Sequence, residues 1–182
     1  MALSATIYTF EISLNDADRG VYEPLEFRVA RHPSETEEFL LTRVLAYCLE
    51  YTDGLEFSRG LSEPDAPALA VRDLTGALRS WIEIGTPDAA RLHKAAKAAP
   101  RVVVYAHRDV AMLLERLARE TIHRGEQIEI HSLDREFLEA LASRLSRRMR
   151  FDLAVSDRHL YLSLDDATLS GAVTLHRIAQ SG

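Results

Sequence analysis

Four consecutive apolar residues, VVVY at positions 102–105, set a strong condition on the fold. A strand without polar positions is normally covered on both faces. Segments with alternating and with helical periodicity surround this run and follow the order β-β-α-β-β-β-α-β-α-β-α-β-β-β. That order predicts an α/β protein with mixed β-sheets and flanking helices.

Local signals predict where the elements lie. Two alternating runs, residues 6–14 and a second run that ends at residue 30, predict a β-hairpin. Ser34 and Glu37 form a capping box ahead of a helical repeat, and Thr86 with Pro87 predicts the start of a helix that ends near residue 99. The remaining helices are predicted over 109–119 and 134–148. The remaining strands are predicted over 55–58, 68–72, 79–84, 127–131, 150–156, 159–164 and 171–178.

Length and composition limit the class of protein. At 182 residues the chain is long enough for one well-buried core, and we expect a single compact domain, 1–182. Its one cysteine, Cys48, excludes an internal disulfide and a cysteine-based zinc site. The N-terminal residues lack a basic region followed by an apolar stretch, and no apolar run has the length of a membrane span. We therefore expect a cytoplasmic protein with no membrane partner.

The charge pattern bears on nucleic-acid binding. A formal net charge of −6 argues against a protein that coats nucleic acid through its overall charge. Two cationic patches, 91–101 and 144–150, fit a solvated helix face and a phosphate-binding surface equally well. Glycine-rich phosphate loops, dinucleotide fingerprints, nucleophile elbows and His-x-x-x-His pairs are absent from the sequence, which leaves acids and bases as the candidate chemical groups.

One carboxylate, Glu83, lies within the predicted apolar strand WIEIG at 81–85 and on the same face as Trp81. A buried and uncompensated carboxylate would cost several kcal/mol, in the range of roughly 3–5 kcal/mol. Glu83 is therefore predicted to be a metal ligand or one half of an ion pair. The candidate cationic partners are Arg91, Lys94 and Arg59.

Two further acids, Asp65 and Glu38, could converge with Glu83. Carboxylate oxygens suit Mg²⁺ or Mn²⁺, and such a cation lowers the pKa of a bound water and stabilises charge on a phosphodiester. Arg91 and Lys94 share one helix face, where either could neutralise a phosphate. The alternative roles are structural: a turn former at Asp65, a solvated helix acid at Glu38 and a surface lysine at Lys94.

Three segments carry a resemblance to a known family: RHPSET at 31–36, LEFSRGLS at 55–62 and WIEIGTPD at 81–88. The chain resembles, essentially end to end, the bacterial YaeQ family, whose fold is a compact variation on the PD-(D/E)XK nuclease core. The resemblance implies that Asp65 and Glu83 match the two acids of that pattern. It also implies that Glu38 matches the acid of the first core helix.

The pattern also expects a lysine two residues after Glu83, where this chain has Gly85. Lys94, or alternatively Arg91 or Lys97, is predicted to replace it. We therefore expect a YaeQ-type protein with a divalent-metal-dependent nuclease site. Its predicted groups are the metal ligands Asp65, Glu83 and Glu38 for Mg²⁺ or Mn²⁺, the catalytic Lys94, and the nucleic-acid contacts Arg59, Arg91 and Lys97.

Gly85 favours a second hypothesis, a catalytically inactive protein that binds nucleic acid or protein and has a regulatory role associated with transcription. A third is a structural or regulatory protein whose acids are paired with cations. The sequence predicts no oligomeric state, because it shows neither a heptad repeat nor a long apolar edge.

Overall fold

The computed structural model describes residues 4–58 and 64–180, which form ten strands and four α-helices in the predicted order. The strands are β1 (Thr6–Asp16), β2 (Val21–Arg31), β3 (Leu55–Phe57), β4 (Leu69–Arg72), β5 (Leu78–Ile84), β6 (Arg101–Ala106), β7 (Glu129–Leu133), β8 (Arg148–Ser156), β9 (His159–Leu164) and β10 (Ala167–His176). The helices are α1 (Glu37–Leu49), α2 (Ala89–Ala98), α3 (Val110–Ala118) and α4 (Arg135–Ala142). The predicted α/β class with mixed sheets is confirmed.

The chain divides into two units, Met1–Leu49 with Leu133–Val173 and Glu50–Ser132 with Thr174–Gly182. The expectation of a single domain stays a prediction. In the described ranges, none of the helices has the length and apolar composition needed to cross a membrane.

The first unit is built on five strands in the order β2-β1-β8-β9-β10. The predicted hairpin is confirmed: β1 and β2 pair antiparallel, with Thr6 opposite Arg31. Strand β8 pairs parallel with β1, and β9 pairs antiparallel with both β8 and β10. Alternate side chains such as Phe10, Phe151 and Leu162 are buried, whereas their neighbours point to the opposite, polar face.

Two helix boundaries in the first unit differ from the sequence prediction. The N-cap of α1 is Thr36, whose hydroxyl accepts a hydrogen bond from the Phe39 amide at 3.0 Å, so the capping box predicted at Ser34 is wrong. Helix α4 ends at Ala142 instead of residue 148. The cationic patch at 144–150 consequently lies on a turn and on the start of β8, and not on a helix face.

The second unit contains β3, β4, β5, β6 and β7 in sheet order. Strands β3, β4 and β5 are antiparallel, and β5, β6 and β7 are parallel. The apolar run 102–105 forms the middle of β6 and is fully buried, which confirms a strand covered on both faces. Val102 and Val104 pack against Leu92 of α2 and Leu113 of α3 in one core cluster.

A polar network that local sequence patterns do not predict lies in the same unit. Arg101, at the start of β6, donates to the Glu50 carboxylate at 2.6 Å and to the Glu129 carboxylate at 2.7 Å. The Tyr105 hydroxyl donates to Glu50 at 2.7 Å, and His131 Nε2 lies 3.3 Å from Glu129. One guanidinium therefore compensates two carboxylates of low exposure.

Candidate functional site

Glu83 lies near the end of β5 and is 5% exposed. One carboxylate oxygen, Oε1, accepts a hydrogen bond from the indole Nε1 of Trp81 at 2.6 Å. The other, Oε2, forms an ion pair with Nε of Arg91 at 2.8 Å. The alternation of side chains along a strand brings Trp81 and Glu83 together on one face, as predicted. Both oxygens of this buried carboxylate are thus engaged.

Arg91 is held by the start of α2. The N-cap of this helix is Asp88, whose carboxylate accepts from the Arg91 amide at 2.8 Å, so the helix begins two residues later than the start predicted at Thr86 and Pro87. The guanidinium also donates to the carbonyls of Pro64 and Ala66, each at 2.7 Å. Arg91 therefore fixes the Asp65 loop to the helix and to Glu83.

The same guanidinium lies over the Trp81 ring, with Cζ 5.9 Å from the ring centroid, which is within the range of a cation–π contact. The hydrogen bond to Glu83, with the charges of nearby carboxylates, raises the pKa of Arg91 above its ordinary value. This arginine is a permanent positive charge beside Glu83.

Asp65 and Lys94 form the outer part of the site. Lys94 Nζ lies 3.3 Å from Asp65 Oδ1, and the two side chains are 55% and 88% exposed. An ion pair between such exposed side chains contributes only about 0–1 kcal/mol. Lys97, one turn along α2, is exposed as well. The outer pair is therefore weak and open to exchange with a dissolved anion.

The structure brings together four of the predicted site residues: Asp65, Glu83, Arg91 and Lys94. Glu38 lies in the first turn of α1, in the other unit, and is half-buried. Arg59 lies outside the described residues, so its predicted contact with nucleic acid stays a prediction. The metal and catalytic roles of Glu38, Asp65, Glu83 and Lys94 also stay predictions.

The donor set does not fit a divalent cation in this arrangement. A magnesium or manganese ion is held by carboxylates whose negative charge it balances, whereas the charge of Glu83 is already balanced by Arg91 and that of Asp65 by Lys94. Across residues 4–58 and 64–180, no three His, Cys, Asp or Glu side chains are grouped so that they could hold a metal. Arg91 and Lys94 therefore balance the charges of Glu83 and Asp65.

Gly85 explains why the expected lysine is missing at its position. Its φ is +99°, in a region that side-chain-bearing residues rarely adopt, and its amide donates to the Tyr105 carbonyl at 2.9 Å. The backbone at this point of the site therefore selects glycine.

We expect Gly85→Lys to lower the free energy of unfolding by about 1–3 kcal/mol, because a residue with a side chain is strained at this positive φ. Urea unfolding of Gly85→Lys beside Gly85→Ala measures this, and Gly85→Ala isolates the backbone contribution. A Gly85→Lys protein as stable as the wild type would contradict the prediction.

Two parts of the site were not predicted. The first is the hydrogen bond that the Trp81 indole donates to Glu83, which the i, i+2 spacing on one strand could have indicated. The backbone contacts of Arg91 with Pro64 and Ala66 have no sequence signal, because they depend on the path of a loop.

Comparison with known proteins gives consistent matches along the chain. The family model described as YaeQ protein matches residues 1–173. The Uncharacterized protein YaeQ of Escherichia coli (strain K12) is 32% identical over 176 residues, which cover 96% of this chain and 97% of that protein. The Uncharacterized protein YaeQ of Salmonella typhi is 32% identical over 164 residues, covering 90% and 91%.

Two crystal structures share the fold. The YaeQ protein from Xanthomonas axonopodis pv. citri has a TM-score of 0.87 at 34% identity and covers 96% of this chain and 99% of that chain. The YaeQ protein from Pseudomonas syringae has a TM-score of 0.86 at 33% identity, with coverages of 94% and 95%. The end-to-end resemblance found in the three sequence segments is confirmed.

Proposed function

This chain belongs to the YaeQ family, and we propose that it binds nucleic acid without cleaving it, through a nuclease-like site that Arg91 has closed. One observation carries the proposal. The buried Glu83 carboxylate, which the nuclease pattern would assign to a metal ion, is bonded to a guanidinium on one oxygen and to an indole on the other. Arg91 supplies the positive charge that a cation would supply in an active nuclease.

The outer part of the site supports phosphate binding. Lys94 and Lys97 are exposed and lie three residues apart, hence on one face of α2. The partner of Lys94, Asp65, is so exposed that its ion pair adds little stability. A phosphate oxygen can therefore replace the Asp65 carboxylate at Lys94 with little loss of protein stability. Contacts of this kind bind the phosphate backbone and need no metal.

We expect the wild-type protein to bind a fluorescein-labelled single-stranded oligonucleotide in EDTA at least as tightly as in magnesium, because the contacts need no metal and Mg²⁺ competes with the lysines for phosphate. Incubation with manganese is expected to leave the oligonucleotide intact on a denaturing gel. Lys94→Ala with Lys97→Ala should weaken binding and lower the salt dependence, since each lost phosphate contact removes about 0.7 from the slope of log K against log salt for a single strand. Asp65→Ala should strengthen binding, because it removes a competing carboxylate.

The nuclease hypothesis makes the opposite prediction. Manganese-dependent cleavage that Asp65→Ala or Glu83→Gln abolishes, in protein that remains folded by circular dichroism, would overturn the proposal and establish a metal-dependent nuclease. Absence of binding to any single- or double-stranded DNA or RNA would overturn it as well.

A further inference from the structure

The five-stranded sheet of the first unit has one buried face and one exposed face. Along β8, Met149, Phe151 and Leu153 are buried, and the residues that alternate with them, Arg148, Arg150 and Asp152, are exposed. Polar residues continue on the exposed face of β1 and β9. The exposed face of the sheet is therefore in contact with solvent and carries charged side chains.

Arginines collect at one end of the exposed face. The register places Thr9 of β1 directly between Arg28 of β2 and Arg148 of β8. Residues opposite each other on neighbouring strands point to the same side, so the two arginine Cα atoms lie roughly 10 Å apart with a hydroxyl between them. In the described ranges, neither guanidinium has a hydrogen bond or an ion pair with the protein. Both are available to an anion.

The charged side chains beside Arg28 and Arg148 are already bonded to the protein. The end of the exposed face that carries the arginines therefore keeps a net positive charge. Arg150 forms an ion pair with Glu11 at 2.5 Å, and Arg147 donates to the Ile7 carbonyl at 3.0 Å. Glu26 lies opposite Glu11. A pocket of about 400 Å³ opens here, lined by Thr9, Glu11, Arg148, Met149 and Arg150. Four arginines against two glutamates give a local excess of positive charge on a chain whose net charge is −6.

An aromatic side chain stands further along the same face. Tyr161 of β9 is 45% exposed and lies opposite Ala154 of β8. The His159 ring stacks beside it, with ring centroids 6.3 Å apart. Ala154 is four residues from Arg150, or roughly 13 Å along a strand. Asp152 is exposed between them and separates the arginines from the rings of Tyr161 and His159.

We propose that this face of the sheet binds single-stranded nucleic acid, with Arg28 and Arg148 contacting backbone phosphates and Tyr161 stacking on a base. The choice of ligand class rests on the function proposed above. A positively charged surface with an exposed aromatic ring is the combination that single-stranded nucleic acid recognises. A sheet face is also the surface on which one common class of RNA-binding module stacks unpaired bases.

Fluorescence anisotropy with labelled oligothymidylate tests this surface. We expect Arg28→Ala with Arg148→Ala to weaken binding about tenfold or more and to reduce the slope of log K against log salt by about 1.4, the value for two phosphate contacts. Tyr161→Ala should weaken binding about fivefold or more, whereas Tyr161→Phe, which keeps the ring, should bind like the wild type.

Arg119→Ala with Arg135→Ala is the matched control. It removes the same charge from two exposed arginines that pair with glutamates on helices α3 and α4. Equal weakening in the control would overturn the surface in favour of a general charge effect. Wild-type binding that the Arg28 and Arg148 substitutions leave unchanged would overturn the surface alone. Absence of wild-type binding would overturn the proposed function, and the surface with it.

Inorganic polyphosphate provides the final comparison. Weak competition by polyphosphate, together with the effect of Tyr161→Ala, is the result expected for a nucleic-acid site. Polyphosphate that competes as well as the oligonucleotide, with no effect of Tyr161→Ala, would overturn the proposal and indicate a site for any polyanion.

Discussion

Arg91→Ala is expected to lower the free energy of unfolding by about 3 kcal/mol, the lower end of the range for breaking a buried ion pair from one side. The substitution leaves the Glu83 carboxylate buried with a single hydrogen bond from Trp81. It also removes the donors to the carbonyls of Pro64 and Ala66. Urea unfolding followed by circular dichroism measures the loss.

Two comparison variants make the Arg91 prediction specific. Lys94→Ala, which breaks the exposed pair with Asp65, should cost about 1 kcal/mol or less. Glu83→Gln introduced into Arg91→Ala should recover part of the lost stability, because glutamine still accepts from the indole and carries no charge. If Arg91→Ala and Lys94→Ala cost the same, Arg91 is not the residue that compensates Glu83.

Most of the fold could be predicted from the sequence, because the elements are coded by local periodicity. The order of strands and helices matches the prediction throughout the described residues. The clearest discrepancy is α4. Apolar residues at helical spacing continue to Leu145, but the helix stops at Ala142 because the segment from Arg148 pairs in parallel with β1, far away in the sequence. A local pattern carries no information about that distant partner.

In the candidate site, too, contacts between near neighbours in the sequence were predictable and contacts between distant residues were not. The shared face of Trp81 and Glu83 follows from strand alternation and was predictable. The choice of Arg91 over Lys94 as the partner of Glu83 was not, because it depends on how α2 meets the end of β5. Spacing along the helix places both cations on one face and cannot separate them.

Local sequence patterns could not predict the network of Arg101 with Glu50 and Glu129. The sequence places Arg101 in the cationic patch 91–101, whereas the structure pairs it with Glu50 and Glu129, which are distant from it in the chain. No motif joins these positions. Only the parallel pairing of β6 with β7, together with the position of Glu50 after α1, brings the charges together.

Arg101→Met is expected to be the most destabilising of these substitutions, with a loss of about 4 kcal/mol in the free energy of unfolding. Methionine keeps the apolar length of the side chain but leaves two carboxylates of low exposure, those of Glu50 and Glu129, without their cation. Glu50→Gln with Glu129→Gln, added to Arg101→Met, should recover much of the loss. Failure to recover would show that packing, and not charge, is what Arg101 supplies.

The pH dependence of stability tests the same network independently. Burial favours the neutral carboxyl of Glu129, but hydrogen bonds from His131 and Arg101 outweigh it and lower the pKa to about 2. A folded-state pKa below the ordinary value of about 4.3 contributes stability that is fully present above that value and is lost as the pH falls towards 2. In urea unfolding between about pH 5 and pH 3, Glu129→Gln should therefore flatten the loss of stability, and Arg101→Met should flatten it partly. Parallel pH profiles for the wild type and both variants would contradict the assignment, because the carboxylate would then titrate alike in the folded and unfolded chains.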